Sequence, residues 1–378
     1  MSETAAGAAL SRDGCEARQR RLVGGMRQLD LDAALLTDPR HVHYFTGFWH
    51  SGRPLFRSAL FLTADGRTRL FLPFESETDP VAEQVQTFES NRLGTLVEDQ
   101  DVVLGADLRE LTRSIDRLGC DQHSLYSLAV EGAPGTKCTI VPIGDLLREL
   151  RRKKDVDEVE LLRAAIRGCD AAYDTARRVL VPGLTEVELY AQMRAAAIVA
   201  VGEPLTEFGN DFQCGKLGSL PRPRAVEAGD TAILDVSVVL RGYSSDLCRT
   251  FVISASPTNE QKDAHERVVA ALEFVEKNVR PGVSCKELHE EVFSRLDGYR
   301  GWKFPHHLGH GIGLTAHEAP RLNPRWNDTF REGDVFTAEP GLYGAELRAG
   351  IRVEHDYLVT ESGVERLSNY STDLFTTG

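Results

Sequence analysis

With 378 residues, 42% of them hydrophobic and 27% charged, the chain has the makeup of a soluble globular protein with about two cores. Its net charge of −13 argues against nucleic acid or an anionic membrane surface as a partner, since both demand a basic face. Residues 1–10 lack a basic start, no run of about 18 apolar residues follows anywhere, and seven cysteines lie scattered without a Cys-x-x-Cys, so secretion and membrane insertion are not expected and the thiols read as those of a reduced, cytoplasmic protein.

In chain order, residues 15–29 read as a helix and 33–37 as a short apolar strand stopped by Asp38-Pro39. Residues 58–62 and 68–72 flank Asp65-Gly66, a hairpin signal. Residues 102–106 read as a buried strand followed by a helical stretch, and 139–142 as a further strand. Strands alternating with helices predict a small α/β domain over 1–150. The charged run 151–158 marks its end and opens a second domain, 151–378. An amphipathic helix starts within that run, with Val156, Val159, Leu162 and Ala165 at helical spacing.

The second domain carries an internal repeat. Pro182-Gly183 is followed by Thr185 and Glu188, and Pro281-Gly282 by Ser284 and Glu287. Each Pro-Gly ends an amphipathic helix, 156–180 or 259–279, and each Ser/Thr-x-x-Glu opens the next as a capping box. Two such units, each leading into strand-rich sequence, predict two similar α+β halves packed face to face. The strands expected are 231–240, 248–253, 335–338 and 353–360.

Five side chains of metal-ligand type stand in order through these strands: Asp235, Asp246, His310, Glu339 and Glu354. Asp235 lies on a strand and Asp246 follows across a return, so two carboxylates from neighbouring strands can converge. Glu339 precedes Pro340-Gly341, a turn that aims it off a strand end, and Glu354 sits in an apolar strand where an unpaired charge is costly. Four carboxylates in one pocket repel one another, and two divalent ions bring their formal charge to zero. Oxygen donors with a single imidazole admit Mn, Fe, Co or Zn and favour Mn, and water bridging two such ions becomes a nucleophile near neutral pH. His306, His310 and His317 lie among Gly309, Gly311 and Gly313, which would let the backbone approach the metals. Phosphate-loop, zincin and serine-hydrolase motifs are absent.

These motifs resemble the pita-bread metallopeptidases, in the branch of prolidase and aminopeptidase P, and the likeness spans nearly the whole chain. Residues 32–48 look like the start of the creatinase/prolidase-like N-terminal domain, and 151–378 like the pita-bread catalytic domain, with the Pro-Gly repeat as its internal pseudo-twofold. The resemblance implies cleavage of Xaa-Pro bonds in dipeptides or short peptides by a hydroxide bridging two metals. It implies that Asp235 binds one metal, Asp246 and Glu354 bridge, and His310 and Glu339 bind the second. Glu339 would also pass the water's proton, His306 and His317 would contact substrate and stabilise the tetrahedral intermediate, and Arg352 would brace Glu354. A homodimer is also expected.

Three positions depart from the family pattern: Arg222 where a His follows Leu-Pro, His307 where a small Gly stands, and His355 where an Asp follows the last Glu. Arg222 has no acceptor lone pair, so it cannot share a proton as His does, and it could instead clamp a substrate carboxylate. These departures keep a second reading open, a non-peptidase hydrolase or lyase on the same scaffold. A metal-free binding protein is a third. Trp49, His50, Arg53 and Phe56 are candidates to cover the site from the first domain.

Overall fold

The computed structural model describes residues 8–49, 56–88, 91–93, 96–122, 138–209 and 211–377. They form two compact units, Ala9–Arg151 and a larger one built from Arg152 onward.

In the first unit a mixed six-stranded sheet has the order Gln84–Thr87, Thr68–Leu72, Ala59–Thr63, Ala33–Leu36, Arg117–Cys120, Thr139–Pro142. The hairpin at Asp65-Gly66 forms as expected, with Gly66 at φ 97°. Asp38-Pro39 does more than stop a strand. Asp38 accepts a hydrogen bond from the Arg40 amide and caps a helix, Pro39–Thr46, that ends at Gly47 with φ 71°. The strand expected over 102–106 is instead the interior of a helix, Gln100–Thr112. Asp99 caps it, accepting from the Asp101 and Val102 amides, and Leu104 and Leu108 face one core at a spacing of one turn. A short apolar run cannot by itself distinguish strand from buried helix.

The second unit repeats one motif. Helix Val156–Val179, the turn at Gly183 (φ 95°) and helix Glu186–Val201 precede a sheet ordered Asp211–Cys214, Thr231–Val236, Leu247–Ile253, Phe375–Thr377. Helix Asn259–Asn278, the turn at Gly282 (φ 90°) and helix Cys285–Leu296 precede a sheet ordered Glu318–Leu322, Gly309–Gly311, Val335–Ala338, His355–Val359, Val364–Arg366. Both glycines occupy the left-handed region that lets a helix end and the chain reverse. Ala264, Val268, Ala271, Leu272 and Val275 line the buried stripe of the third of these helices and pack into one core with Phe336, Tyr357 and Ile351. Each such Val or Leu contributes roughly 1.5–3 kcal/mol on burial. The second unit is thus two helix–turn–helix–sheet halves, as the Pro-Gly repeat predicts.

Two expected strands are shorter than anticipated. Residues 231–240 break at Ser237 into Thr231–Val236 and Val238–Leu240, and the latter pairs in a separate small sheet. Val353 and Glu354 lie in a gap between strands Ile351–Arg352 and His355–Val359. Among the described residues all seven cysteines are free, and no helix is long and apolar enough to cross a membrane.

Candidate active site

Antiparallel pairing sets Asp235 opposite Asp211 on one neighbouring strand and opposite Cys248 on the other. Asp246 stands one residue before the strand Leu247–Ile253. Ser237, at the strand break, donates to Asp246 Oδ1 at 2.8 Å, and the Asp246 amide donates to Asp356 Oδ2 at 3.1 Å. His310 is central in Gly309–Gly311, and Glu339 follows the end of Val335–Ala338 with its amide bonded to the Leu308 carbonyl at 2.8 Å. Glu354 occupies the gap between two strands and is buried.

These five residues come together from both halves of the unit. His310 Nε2 lies 3.6 Å from Asp246 Oδ2 and 3.6 Å from Glu339 Oε1. Ligand atoms of Asp246, His310 and Glu354 all fall within 4.8 Å of one another, and so do those of Asp235, Cys248 and Glu354. Glu354 therefore belongs to both groups. Bonds of about 2.0–2.4 Å from one ion to each oxygen or nitrogen are compatible with such spacings.

Two further observations fit a pair of divalent cations. Glu354 is 1% exposed; its Oε1 accepts from Thr337 Oγ1 at 2.5 Å, and its Oε2 has no hydrogen-bond partner among the described residues. An orphaned carboxylate oxygen in a closed pocket is costly unless a cation meets it. His310 Nδ1 lies 3.1 Å from the Gly311 carbonyl, which fixes the proton on that nitrogen and leaves the Nε2 lone pair facing the acids.

Electrostatics separate the acids. Burial, then repulsion from Glu339, pushes Asp246 up to about 6. Burial raises Asp235 well above the ordinary carboxylate range despite Arg352, and raises Glu354 likewise with help from Asp235, Asp246 and Glu339. Glu339 goes the other way. Burial opposes its charge, but His307, His310 and His306 outweigh burial and hold it down at about 2. Burial lowers His310 and His306 to about 4, and so keeps both rings neutral at physiological pH.

Further polar side chains hold these acids in place. Arg352 Nη2 lies 2.7 Å from Asp235 Oδ2 and 2.6 Å from Asp211 Oδ2. Arg352 thus braces Asp235, whereas the sequence suggested Glu354, which instead finds Thr337. Arg352 Nη1 donates to the Tyr343 hydroxyl at 3.1 Å, and Tyr343 lies 2.9 Å from His306 Nε2. His306 Nδ1 donates to the His307 carbonyl at 2.8 Å, so its Nε2 accepts the Tyr343 proton. The His317 and His310 rings are 3.9 Å apart by centroid, and His317 is otherwise exposed. Tyr343 and Asp211 escaped sequence reasoning. Tyr343 stood four residues past Glu339 in the same motif, while Asp211 offered no local signal, its role arising from pairing across the sheet.

The three altered positions have separate fates. His307 joins the cluster, with Nδ1 3.2 Å from Glu339 Oε1. His355 faces away, with Nδ1 2.6 Å from Ser368 Oγ. Arg222 forms a fork on Glu186, Nε to Oε2 at 2.8 Å and Nη2 to Oε1 at 2.6 Å, and its Nη1 donates to the Leu217 carbonyl at 3.2 Å. That leaves no free fork to clamp a substrate carboxylate. The glycines also have a reason other than metal approach: a Cβ on Gly309 would strike the Thr337 carbonyl oxygen, and one on Gly311 that of Ala319. Of the proposed covering loop, His50 and Arg53 lie outside the described residues, Trp49 packs edge-on to His43, and Phe56 edge-on to Phe74.

The chain is similar to known proteins over nearly its whole length. Residues 160–361 match metallopeptidase family M24, and residues 18–153 match the creatinase/prolidase N-terminal domain. The chain is 28% identical over 363 residues to an Xaa-Pro dipeptidase of Pyrococcus furiosus, covering 94% of this chain and 99% of that protein. The prolidase structure from Pyrococcus horikoshii superposes with a TM-score of 0.79 at 24% identity, covering 95% of this chain and all of that one. An X-Pro aminopeptidase structure from Thermotoga maritima gives 0.76 at 25% identity, covering 95% and 99%.

Proposed function

The chain belongs to metallopeptidase family M24, and from that membership we propose that it hydrolyses Xaa-Pro dipeptides or the N-terminal Xaa-Pro bond of short peptides. The observation that carries this reading is the convergence of Asp235, Asp246, His310, Glu339 and Glu354, with Glu354 shared between two candidate ligand groups. We assign these five as ligands of two divalent ions. Such ions, when bound, would polarise the scissile carbonyl and acidify the attacking water.

The chain's own groups supply the rest. Glu339 is ionised at neutral pH and lies 3.2 Å from His307 Nδ1, and in this reading its carboxylate takes a proton from water and returns it to the departing amine. The chain Arg352–Tyr343–His306 fixes the His306 ring through Nε2 and presents it beside Glu339, with Nδ1 4.0 Å from Oε2. His306 and His317 contact substrate in this reading, with His317 the imidazole that stabilises the tetrahedral intermediate because both nitrogens of His306 are engaged, and Arg352 holds Asp235 in place. Arg222 acts on the fold through Glu186 in this reading. The oxygen-rich donor set supports manganese. Seven free cysteines support a cytoplasmic location, and a homodimer completes the same reading.

His307 favours a second possibility, a non-peptidase hydrolase or lyase on this scaffold, because an added imidazole at Glu339 changes the group that would handle the proton. Turnover of the manganese-loaded protein on Xaa-Pro dipeptides and tripeptides, with metal content measured by mass spectrometry, tests the first reading. Metal-dependent proline release is expected, and Asp246→Asn should lose both activity and metal. A protein that binds two ions yet releases no proline from any peptide would transfer the site to the second reading.

A further inference from the structure

Strand Leu247–Ile253 brings a thiol in among the acids. Antiparallel register sets Cys248 directly opposite Asp235, so the two side chains leave the sheet on one face. The backbones of Cys248 and Glu354 are locked together. The Glu354 amide donates to the Cys248 carbonyl at 3.1 Å, and Arg249 Nη1 donates to the carbonyls of Cys248 and Glu354 at 2.8 and 2.6 Å. Cys248 Sγ and carboxylate oxygens of Asp235 and Glu354 lie within 4.8 Å of one another. An ion bonded to oxygen at about 2.0–2.2 Å and to sulfur at about 2.3 Å accommodates such separations.

Two observations set this thiol apart from a small core filler. Cys248 is fully buried, and the hydrogen bond that its Sγ donates to the Arg352 carbonyl is long, at 3.7 Å. Its neighbour Glu354 is 1% exposed and leaves Oε2 without a hydrogen-bond partner among the described residues. A buried carboxylate oxygen of that kind calls for a cation, and the thiol stands among the donors that such a cation would meet. Of the seven cysteines, only Cys248 belongs to a candidate ligand group among the described residues.

We propose that Cys248 Sγ is an added ligand of the ion that Asp235 and Glu354 hold, and that this ion is of the softer class, zinc or cobalt, in preference to manganese. This assignment rests on the two-ion reading above and is independent of whether the substrate is a peptide. Sulfur donors select zinc over manganese, whereas carboxylates serve both. Burial keeps the free thiol protonated, and on binding the sulfur bonds to the ion while its proton leaves to solvent. Arg352, paired with Asp235, offsets part of the added negative charge. The second ion keeps the oxygen-rich set with one imidazole that suits manganese.

The full-length protein, stripped of metal by chelation, is titrated with Co(II) and followed by absorbance, with bound metal counted by mass spectrometry. Cys248→Ser and Cys138→Ser are titrated beside it. The parent and Cys138→Ser, which changes a less buried thiol outside the group, should develop a sulfur-to-cobalt charge-transfer band in the near ultraviolet. Cys248→Ser should bind cobalt without that band. It should also weaken zinc by about tenfold or more and manganese by less than about twofold. X-ray absorption of the zinc-loaded parent should show a sulfur neighbour at about 2.3 Å, a readout that does not depend on any variant folding. Two bound cobalt ions with neither band nor sulfur neighbour overturn the sulfur ligand and leave the two-ion site and the peptidase standing. A band that survives Cys248→Ser places the sulfur elsewhere and overturns it as well. A protein that binds neither cobalt nor zinc overturns the ligand together with the two-ion assignment. The band, lost in Cys248→Ser, in a protein that cleaves no Xaa-Pro peptide upholds Cys248 while the peptidase reading falls.

Discussion

Arg222 spends its guanidinium on Glu186, a carboxylate with no solvent exposure in the first turn of helix Glu186–Val201, while the Arg222 amide donates to the same carboxylate at 2.9 Å. Removing one partner of a buried pair leaves the other charge without compensation, at a cost of about 3–5 kcal/mol for fully buried pairs. Arg222 is about one-quarter exposed, so Arg222→Ala should cost about 2–3 kcal/mol, read as a lowered urea midpoint. The double variant Arg222→Ala/Glu186→Gln should recover most of that loss, because the orphaned charge is gone. If the single variant is as stable as the parent, the fork is not structural and a substrate role returns. The sequence displayed the unusual Arg at this position but not its partner 36 residues earlier. Glu188 gave a capping signal there; Glu186 gave none, because only the tertiary fold brings it to Arg222. Asp235 and Asp211 divide in the same way: the metal-ligand type of Asp235 was visible in its motif, while the Arg352 bridge between the two depended on strand register.

At the scale of elements, the clearest sequence signals were those whose physics is local. Helices Val156–Val179 and Asn259–Asn278 follow from apolar periodicity, and both following helices begin where Thr185 and Ser284 accept from the amides of Glu188 and Glu287 at 3.2 Å. The two caps differ in one respect. Glu188 Oε2 returns to the Thr185 amide and hydroxyl at 2.9 and 2.7 Å, and this closes the reciprocal box. Thr185→Ala should therefore cost about 1 kcal/mol or slightly more, and Ser284→Ala about 0.5–1 kcal/mol. Both are measurable as shifts in urea midpoint at unchanged m-value, and a larger loss at Ser284 would contradict this account. Elements whose identity depends on tertiary packing were harder to read. Helix Gln100–Thr112 passed for a strand because its apolar stretch is short, and the break at Ser237 depends on a hydroxyl that turns to Asp246. The glycines of the His310 strand show the same limit: their number was visible, but their cause is the carbonyls of Thr337 and Ala319 on adjoining segments.

Across the whole catalytic unit, Asp235 and Asp246 come from one half and His310, Glu339 and Glu354 from the other, so ions held among them would tie the halves together. A ligand that binds only the folded state stabilises it by about 2.7 kcal/mol at a hundred times its dissociation constant. Protons compete for the same carboxylates, and the direction follows from the shifts. Asp246 rises from 3.8 to about 6, and Asp235 and Glu354 also rise, so the metal-free folded state binds protons more tightly than the unfolded chain. The stability those protons confer is fully present below about pH 4 and is lost as pH rises through about 6. Above that pH the carboxylates repel one another, and divalent cations have most to contribute. Glu339, held at about 2, stays ionised throughout, and His310, held at about 4, keeps its lone pair free, so neither titrates between pH 5 and 7. At fixed free manganese, the rise in Tm over the chelated protein should therefore be largest near pH 7 and shrink towards pH 5. Asp170, raised to about 6 mainly by burial, follows the same pH trend but belongs to neither candidate ligand group, so subtracting the chelated curve removes it. Glu354→Gln should abolish most of the increment at pH 7, since it removes the carboxylate common to both groups. An increment independent of pH between 5 and 7 would mean that protons and metal do not share these oxygens, and the five-residue assignment would fail with it.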